Sequence, residues 1–100
     1  MSEPSETVDD EALRLRRQGQ TYARISRALG LDHAADAQQA FRRAVRRLPA
    51  AEAEQVREEE LSRLDRLAER VRTDTSKNDM DRARQLKAIE RMRGQIHHDR

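Results

Sequence analysis

Residues 11–48 read EALRLRRQGQTYARISRALGLDHAADAQQAFRRAVRRL, and two glycines divide this stretch into three short segments with helical periodicity. Gly19 follows the first segment. Gly30 follows the second and suits the left-handed turn position that ends a helix without a Cβ penalty. Three short amphipathic helices joined by tight turns are typical of a helix-turn-helix. The stretch therefore predicts a helix-turn-helix unit over residues 9–48.

A side chain that can cap a helix precedes each of the three predicted helices. We expect Asp9 or Asp10 to cap the first helix, Thr21 the second and Asp32 the third. Pro49 should stop or redirect the third helix. The spacing of apolar residues predicts the inward face of that helix, which consists of Ala37, Phe41, Ala44 and Leu48.

The remaining sequence predicts an acidic, disordered tail over residues 1–8 and a helical hairpin over residues 50–98. The hairpin helices should cover residues 50–73 and 79–96, with a polar loop between them. Each helix has one narrow apolar stripe, so the hairpin either self-associates or folds back on the N-terminal bundle as a five-helix monomer. The residues predicted to oligomerise are Leu61, Leu64, Leu67, Val71, Leu86, Ile89 and Ile96. The fold class is therefore all-α.

Charge is unevenly distributed along the chain, although the net value is only +2. Residues 1–10 carry −4, and residues 11–48 carry +6 from nine arginines against three acidic residues. Residues 49–76 carry −3 and residues 77–100 carry +3. Positive charge thus coincides with the predicted helix-turn-helix, as expected for a protein that binds a polyanion.

Arginine and glutamine on the predicted outer surface indicate double-stranded DNA as the ligand. Gln pairs with adenine and Arg with guanine through two hydrogen bonds, so Arg42 and Gln38 are the first choices for base contact. The other candidates on the third helix are His33, Gln39, Arg43 and Arg46. Candidates for phosphate contact, which provides affinity without sequence information, are Arg14, Arg17, Thr21, Arg24 and Arg27.

Composition argues against several other classes of protein. Of the hydrophobic residues, 14 are alanine and only Tyr22 and Phe41 are aromatic. Few large apolar side chains are therefore available to line a substrate pocket. We therefore expect no enzyme, no small-molecule substrate and no cofactor. The chain has no cysteine and no apolar run long enough to span a bilayer, so we expect no thiolate metal site, no membrane insertion and a cytoplasmic, nucleoid-associated protein.

Two parts of the chain together resemble a known family. The sequence YARISRALG from Tyr22, followed by residues 37–48, looks like the helix-turn-helix of phage terminase small subunits and phage-related DNA-binding regulators. REEELSRLDRL from Arg57 and NDMDRARQLKAIERMRG from Asn78 are similar to the helical hairpin that follows it in many of them. The resemblance implies that the N-terminal unit binds DNA and that the hairpin builds a ring-like oligomer.

Two functional hypotheses follow. The first is a non-enzymatic DNA-binding protein that oligomerises through its hairpin, with a regulatory, nucleoid-associated or DNA-packaging role. The alternative is a helical adaptor in which the hairpin binds a protein partner and the N-terminal bundle is a scaffold. Loss of DNA affinity on removal of arginines from the third helix would distinguish them.

Overall fold

The computed structural model describes residues 4–98, and the side chains of residues 6–97, as five α-helices without strands. The chain divides into two compact units, Met1–Ala53 and Glu54–Arg100. The helices are α1 (Pro4–Arg17), α2 (Tyr22–Leu29), α3 (Ala34–Arg46), α4 (Ala50–Thr73) and α5 (Asp79–His98). The predicted all-α fold, with a three-helix unit followed by a helical hairpin, is confirmed.

Helix α1 begins earlier than the sequence predicted. It starts at Pro4 and not after Asp9 or Asp10, so the expected disordered tail is helical from Pro4 onward, and residues 1–3 lie outside the described residues. Proline is favourable in the first turn, and Glu6 places a negative charge near the positive end of the helix dipole. Asp9 caps nothing: it lies inside α1 and is buried.

The turn between α2 and α3 has the geometry that its glycine predicted. The Thr21 hydroxyl caps α2 by accepting a hydrogen bond from the backbone N–H of Arg24 at 3.2 Å. Gly30 ends α2 with φ +69°, and the next N–H, of Leu31, donates to the Ser26 carbonyl at 2.8 Å. A Cβ would be strained at this φ, so glycine is the residue that makes the turn short.

Helix α3 starts and ends slightly differently from the prediction. Its N-cap is His33 and not Asp32, because the Asp36 carboxylate accepts a hydrogen bond from the His33 backbone N–H at 3.1 Å. The turn between α2 and α3 is therefore residues 30–33, a length common in helix-turn-helix motifs. The helix ends at Arg46, two residues before the predicted end at Leu48.

The core of the N-terminal unit forms where α1, α2 and α3 pack against one another. Ile25 of α2 is fully buried, and the rings of Tyr22 and Phe41 meet edge to face with centroids 6.0 Å apart. The other buried apolar residues of this unit are all alanine, namely Ala12, Ala37, Ala40, Ala44 and Ala53. Alanines allow the helices to approach closely, so few large side chains suffice to fill the unit.

The C-terminal unit is an antiparallel hairpin of α4 and α5. Its apolar seam buries Leu64, Ala68 and Val71 of α4 against Ile89 of α5. The partly buried side chains packed on this seam are Leu67, Leu86, Met92 and Ile96. At the turn, the Arg82 guanidinium donates to the backbone carbonyls of Asp74 and Lys77 at 2.9 and 2.6 Å.

Candidate nucleic-acid interface

The four arginines near the end of α3 lie on two different sides of the helix. Because each residue turns an α-helix by about 100°, Arg42 and Arg46 lie roughly opposite the buried face, whereas Arg43 and Arg47 lie on a flank. That flank faces α1, since both side chains contact Asp9. The sequence prediction treated Arg43 as one more outward residue, and the structure separates it from Arg42 and Arg46.

Asp9 binds both flank arginines. Its side chain is only 2% exposed and accepts hydrogen bonds from Arg43 Nε at 3.0 Å, Arg43 Nη2 at 2.9 Å and Arg47 Nη1 at 3.2 Å. The paired hydrogen bonds from Arg43 give the fork geometry in which a guanidinium binds a carboxylate most strongly. Exposed Asp10 adds a weaker contact to Arg47 at 3.4 Å. We call these contacts the Asp9 clamp.

The Asp9 clamp keeps its carboxylate charged. Burial alone would raise the pKa of Asp9, but the hydrogen bonds and charges of Arg43 and Arg47 together outweigh it and hold that pKa below its ordinary value. The hydrogen bond to Asp9 in turn raises the pKa of Arg43. Arg43, predicted as a DNA contact, therefore has an intramolecular anionic partner, and its contact with DNA stays a prediction.

The outer side of α3 carries Gln39, Arg42 and Arg46, which we call the outer stripe. Gln39 and Arg46 are exposed, whereas Arg42 is half-buried. Within residues 4–98, Arg46 has no acidic partner. Gln38, predicted to contact bases, is half-buried at the edge of this stripe, and exposed His33 serves as the N-cap. The outer stripe thus retains part of the predicted recognition surface.

Helix α2 presents two further cations. Arg24 and Arg27 are exposed, and neither side chain has an acidic partner within the described residues. They lie three residues apart and therefore share one helix face, away from buried Ile25. Thr21, the third candidate here, is exposed but uses its hydroxyl to cap α2.

The two candidates on α1 have acidic neighbours. Arg14 pairs with Glu11 through Nη2 at 2.7 Å and Nε at 3.2 Å, and the hydrogen bond from Arg14 lowers the pKa of Glu11. Arg17 lies 3.9 Å from a Glu52 carboxylate oxygen. These are exposed pairs, which cost little to break. They leave α1 less suited to phosphate contact than α2.

Sequence reasoning missed the structural role of Arg16. Its guanidinium carbon lies 3.9 Å from the centroid of the Tyr22 ring, and its Nη1 donates to the Gln20 carbonyl at 3.1 Å. Arg16 thereby joins α1 to the start of α2, and only 9% of it is exposed. The signal in the sequence was its position: Arg16 falls one turn after Ala12, on the inward face of α1.

The predicted oligomerisation residues are mostly used within the chain. Leu64, Val71 and Ile89 are buried in the hairpin seam, and Leu67, Leu86 and Ile96 are partly buried against it. Leu61 is half-buried. Among the described residues, the only exposed large hydrophobic side chain is Met80. These residues therefore pack mainly within the hairpin, and their role in oligomerisation stays a prediction.

The chain was compared with protein-family models, curated proteins and solved structures, and none of them matches. None of the helices formed by residues 4–98 has the length and apolar character that crossing a bilayer requires. In that same part of the chain, no three His, Cys, Asp or Glu side chains are grouped so that they could hold a metal ion.

Proposed function

We propose that this protein binds double-stranded DNA through α2 and α3 and has no enzymatic activity. The observation that supports this best is the set of exposed arginines without acidic partners, Arg24, Arg27 and Arg46, on the two helices joined by the Gly30 turn. In a helix-turn-helix, the first of these helices crosses the DNA backbone and the second enters the major groove. In the same arrangement here, α2 would contact phosphates and α3 would contact base edges.

The outer stripe has the chemistry that base recognition needs. Gln39 can hydrogen-bond adenine through two atoms, and Arg42 and Arg46 can do so with guanine. Good pairs of this kind discriminate between bases by about 1 to 3 kcal/mol each. Arg24 and Arg27 would provide affinity that does not depend on sequence. A regulatory, nucleoid-associated or packaging role would each use this same interface.

Salt dependence of binding tests the proposal. We would titrate a fluorescent random-sequence duplex with the full chain and follow anisotropy at several salt concentrations. Replacing Arg24, Arg27 and Arg46 by Ala should lower affinity and reduce the slope of log K against log salt by about 2, since the two phosphate contacts of α2 each contribute about 1 and Arg46 is assigned to base edges. A duplex that does not bind, or affinity that does not respond to salt, would contradict the proposal.

A charge-matched control is available in the hairpin. Arg66, Arg70 and Arg72 are exposed on α4, and replacing them by Ala removes the same three charges. Acidic residues lie among them, since Arg72 pairs with Glu69 at 3.5 Å. This variant should change the slope by less than about 1. An equal effect of both variants would show that net charge, and not α2 and α3, governs binding.

We also propose that the hairpin self-associates. Its core contains four buried apolar residues, which is thin for a two-helix unit, and the hairpin of a second copy could cover the partly exposed edges of the seam as in a four-helix bundle. Light scattering over a range of protein concentrations tests this, with 11.6 kDa expected for a single chain. A mass that stays at the single-chain value throughout would rule it out.

A further inference from the structure

The cations of α5 divide into two groups that face opposite directions. Arg82 and Arg93 lie on the seam side, where Arg82 binds turn carbonyls and Asp79, and Arg93 pairs with Asp65 of α4. Arg84, Lys87 and Arg91, which we call the α5 stripe, are all exposed. None of these three side chains has an acidic partner within the described residues.

The spacing of the α5 stripe places its charges in one row. Residues at i, i+3 and i+7 lie on one helix face, here opposite buried Ile89. The row is about 10 Å long, because an α-helix rises about 1.5 Å per residue. Two acidic residues of α5 flank the row. Asp81 is half-buried in the first turn, and exposed Glu90 lies 3.8 Å from Arg93 on the seam side.

The side chains next to the α5 stripe are small. Ala83 and Gly94 on the same side are exposed, and a Cβ added at Gly94 would meet no atom within 4 Å. Glycine in a helix interior is unfavourable compared with alanine, and packing within the chain does not require it here. A flat row of cations between small side chains lets an extended anionic partner approach the helix backbone closely.

We infer that the α5 stripe is a second binding surface for the phosphate backbone of DNA. Three exposed cations in one row, none of them paired with an acid among the described residues, complement the row of charges along a DNA strand. The ligand is the one proposed for α2 and α3, but the residues lie in the other compact unit. One chain would thus have two separate cationic surfaces for DNA.

The test uses three full-length variants with equal charge changes. They replace by Ala the α5 stripe, the α2 and α3 set (Arg24, Arg27 and Arg46) and the control set (Arg66, Arg70 and Arg72). Replacing the α5 stripe should reduce the slope of log K against log salt by about 3 and leave the thermal unfolding curve unchanged. If it lowers the slope no more than the control set does, the inference is wrong.

The two DNA proposals can fail separately in this experiment. A reduced slope for the α5 variant together with an unchanged slope for the α2 and α3 variant would keep the α5 surface and refute the proposed function. The opposite pattern would refute the α5 surface alone. Arg84→Lys with Arg91→Lys should retain the slope, because a phosphate contact needs the charge more than the guanidinium shape. Loss of binding in this lysine variant would contradict the inference.

Two other anionic partners are distinguished by parallel measurements. If the α5 variant changes the mass in light scattering while the DNA slope stays constant, the stripe contacts a second copy of the chain. If it abolishes binding to phosphatidylserine vesicles while the DNA slope stays constant, the stripe contacts lipid headgroups. Either result overturns the assignment to DNA.

Discussion

Arg43 and Arg47 on one flank of α3 bind buried Asp9, whereas Arg46 on the outer stripe has no acidic partner within residues 4–98. The two sides belong to the same short run of sequence and carry the same residue type. The difference arises because one flank lies against α1 and the other faces away from the packed unit. Arginine in this protein therefore has two uses, as an internal clamp and as an exposed cation.

The largest expected effect comes from removing the Asp9 clamp. Asp9→Ala should lower the free energy of unfolding by about 2 to 3 kcal/mol, because two guanidinium groups lose a buried, hydrogen-bonded carboxylate. Urea unfolding followed by circular dichroism measures this change. Asp10→Ala is the matched control, since Asp10 is 72% exposed and should change stability by less than about 0.5 kcal/mol. Equal effects would mean that the clamp does not stabilise the unit.

Acid should remove the stabilisation that the clamp provides. The pKa of Asp9 is lowered in the folded state, so its contribution is complete above the unfolded-state value, about 3.9, and is lost as pH falls through the folded-state pKa. The stability difference between the unmodified chain and Asp9→Asn should be constant from about pH 5 to 7 and shrink below about pH 4. A difference that persists to about pH 2 would show that the charge of Asp9 is not what stabilises the unit.

A substitution in the turn before α3 should affect the whole helix, and therefore both of its flanks. Gly30→Ala should cost about 1 to 2 kcal/mol, because a Cβ is unfavourable at φ +69°. Gly94→Ala is the control: neither glycine would bring its new Cβ within 4 Å of another atom, but Gly94 lies within α5. It should stabilise the protein by about 0.5 to 1 kcal/mol. If Gly30→Ala is equally stabilising, the left-handed turn is not required.

The smallest expected effects are those of single arginine substitutions, which compare the two sides of α3 directly. Arg43→Ala should lower stability by about 1 to 2 kcal/mol, whereas Arg46→Ala should change it by less than about 0.5 kcal/mol. In DNA titrations, Arg46→Ala should lower affinity by about 1 to 3 kcal/mol, as expected for a lost base contact, and Arg43→Ala should lower it less. Urea unfolding and fluorescence anisotropy on the same two variants measure both quantities. If Arg43→Ala lowers DNA affinity more than Arg46→Ala does, the assignment of the flanks is reversed.

The helices themselves could be predicted from local sequence signals. Thr21, Gly30 and Pro49 act on the backbone within a few residues, and the predicted bounds of α2 and α4 agree with the structure. The start of α1 could not be predicted from such local signals. Residues 1–8 have little to bury, but Asp9 is held by Arg43 and Arg47, and no local pattern reveals a partner more than 30 residues away.

The candidate DNA surface could be predicted only in part. Helical periodicity separated Gln39, Arg42 and Arg46 from buried Phe41, and this separation is confirmed. The same periodicity also placed Arg43 among the outward residues, but a residue at the edge of a helix face is exposed or paired depending on its neighbour. That neighbour, Asp9, became known only from the packed unit.

The amino-acid sequence alone determined the all-α fold, the helices on either side of Gly30 and the excess of arginine in residues 11–48, because capping, turns and composition are properties of short stretches of chain. Only the tertiary structure decided which arginines remain without an acidic partner. The packing of α1 on α3 buries the Asp9 carboxylate beside Arg43 and Arg47, and a buried charge must be paired. Among the α3 arginines, Arg46 is the one that stays exposed without an acidic partner in the described part of the chain.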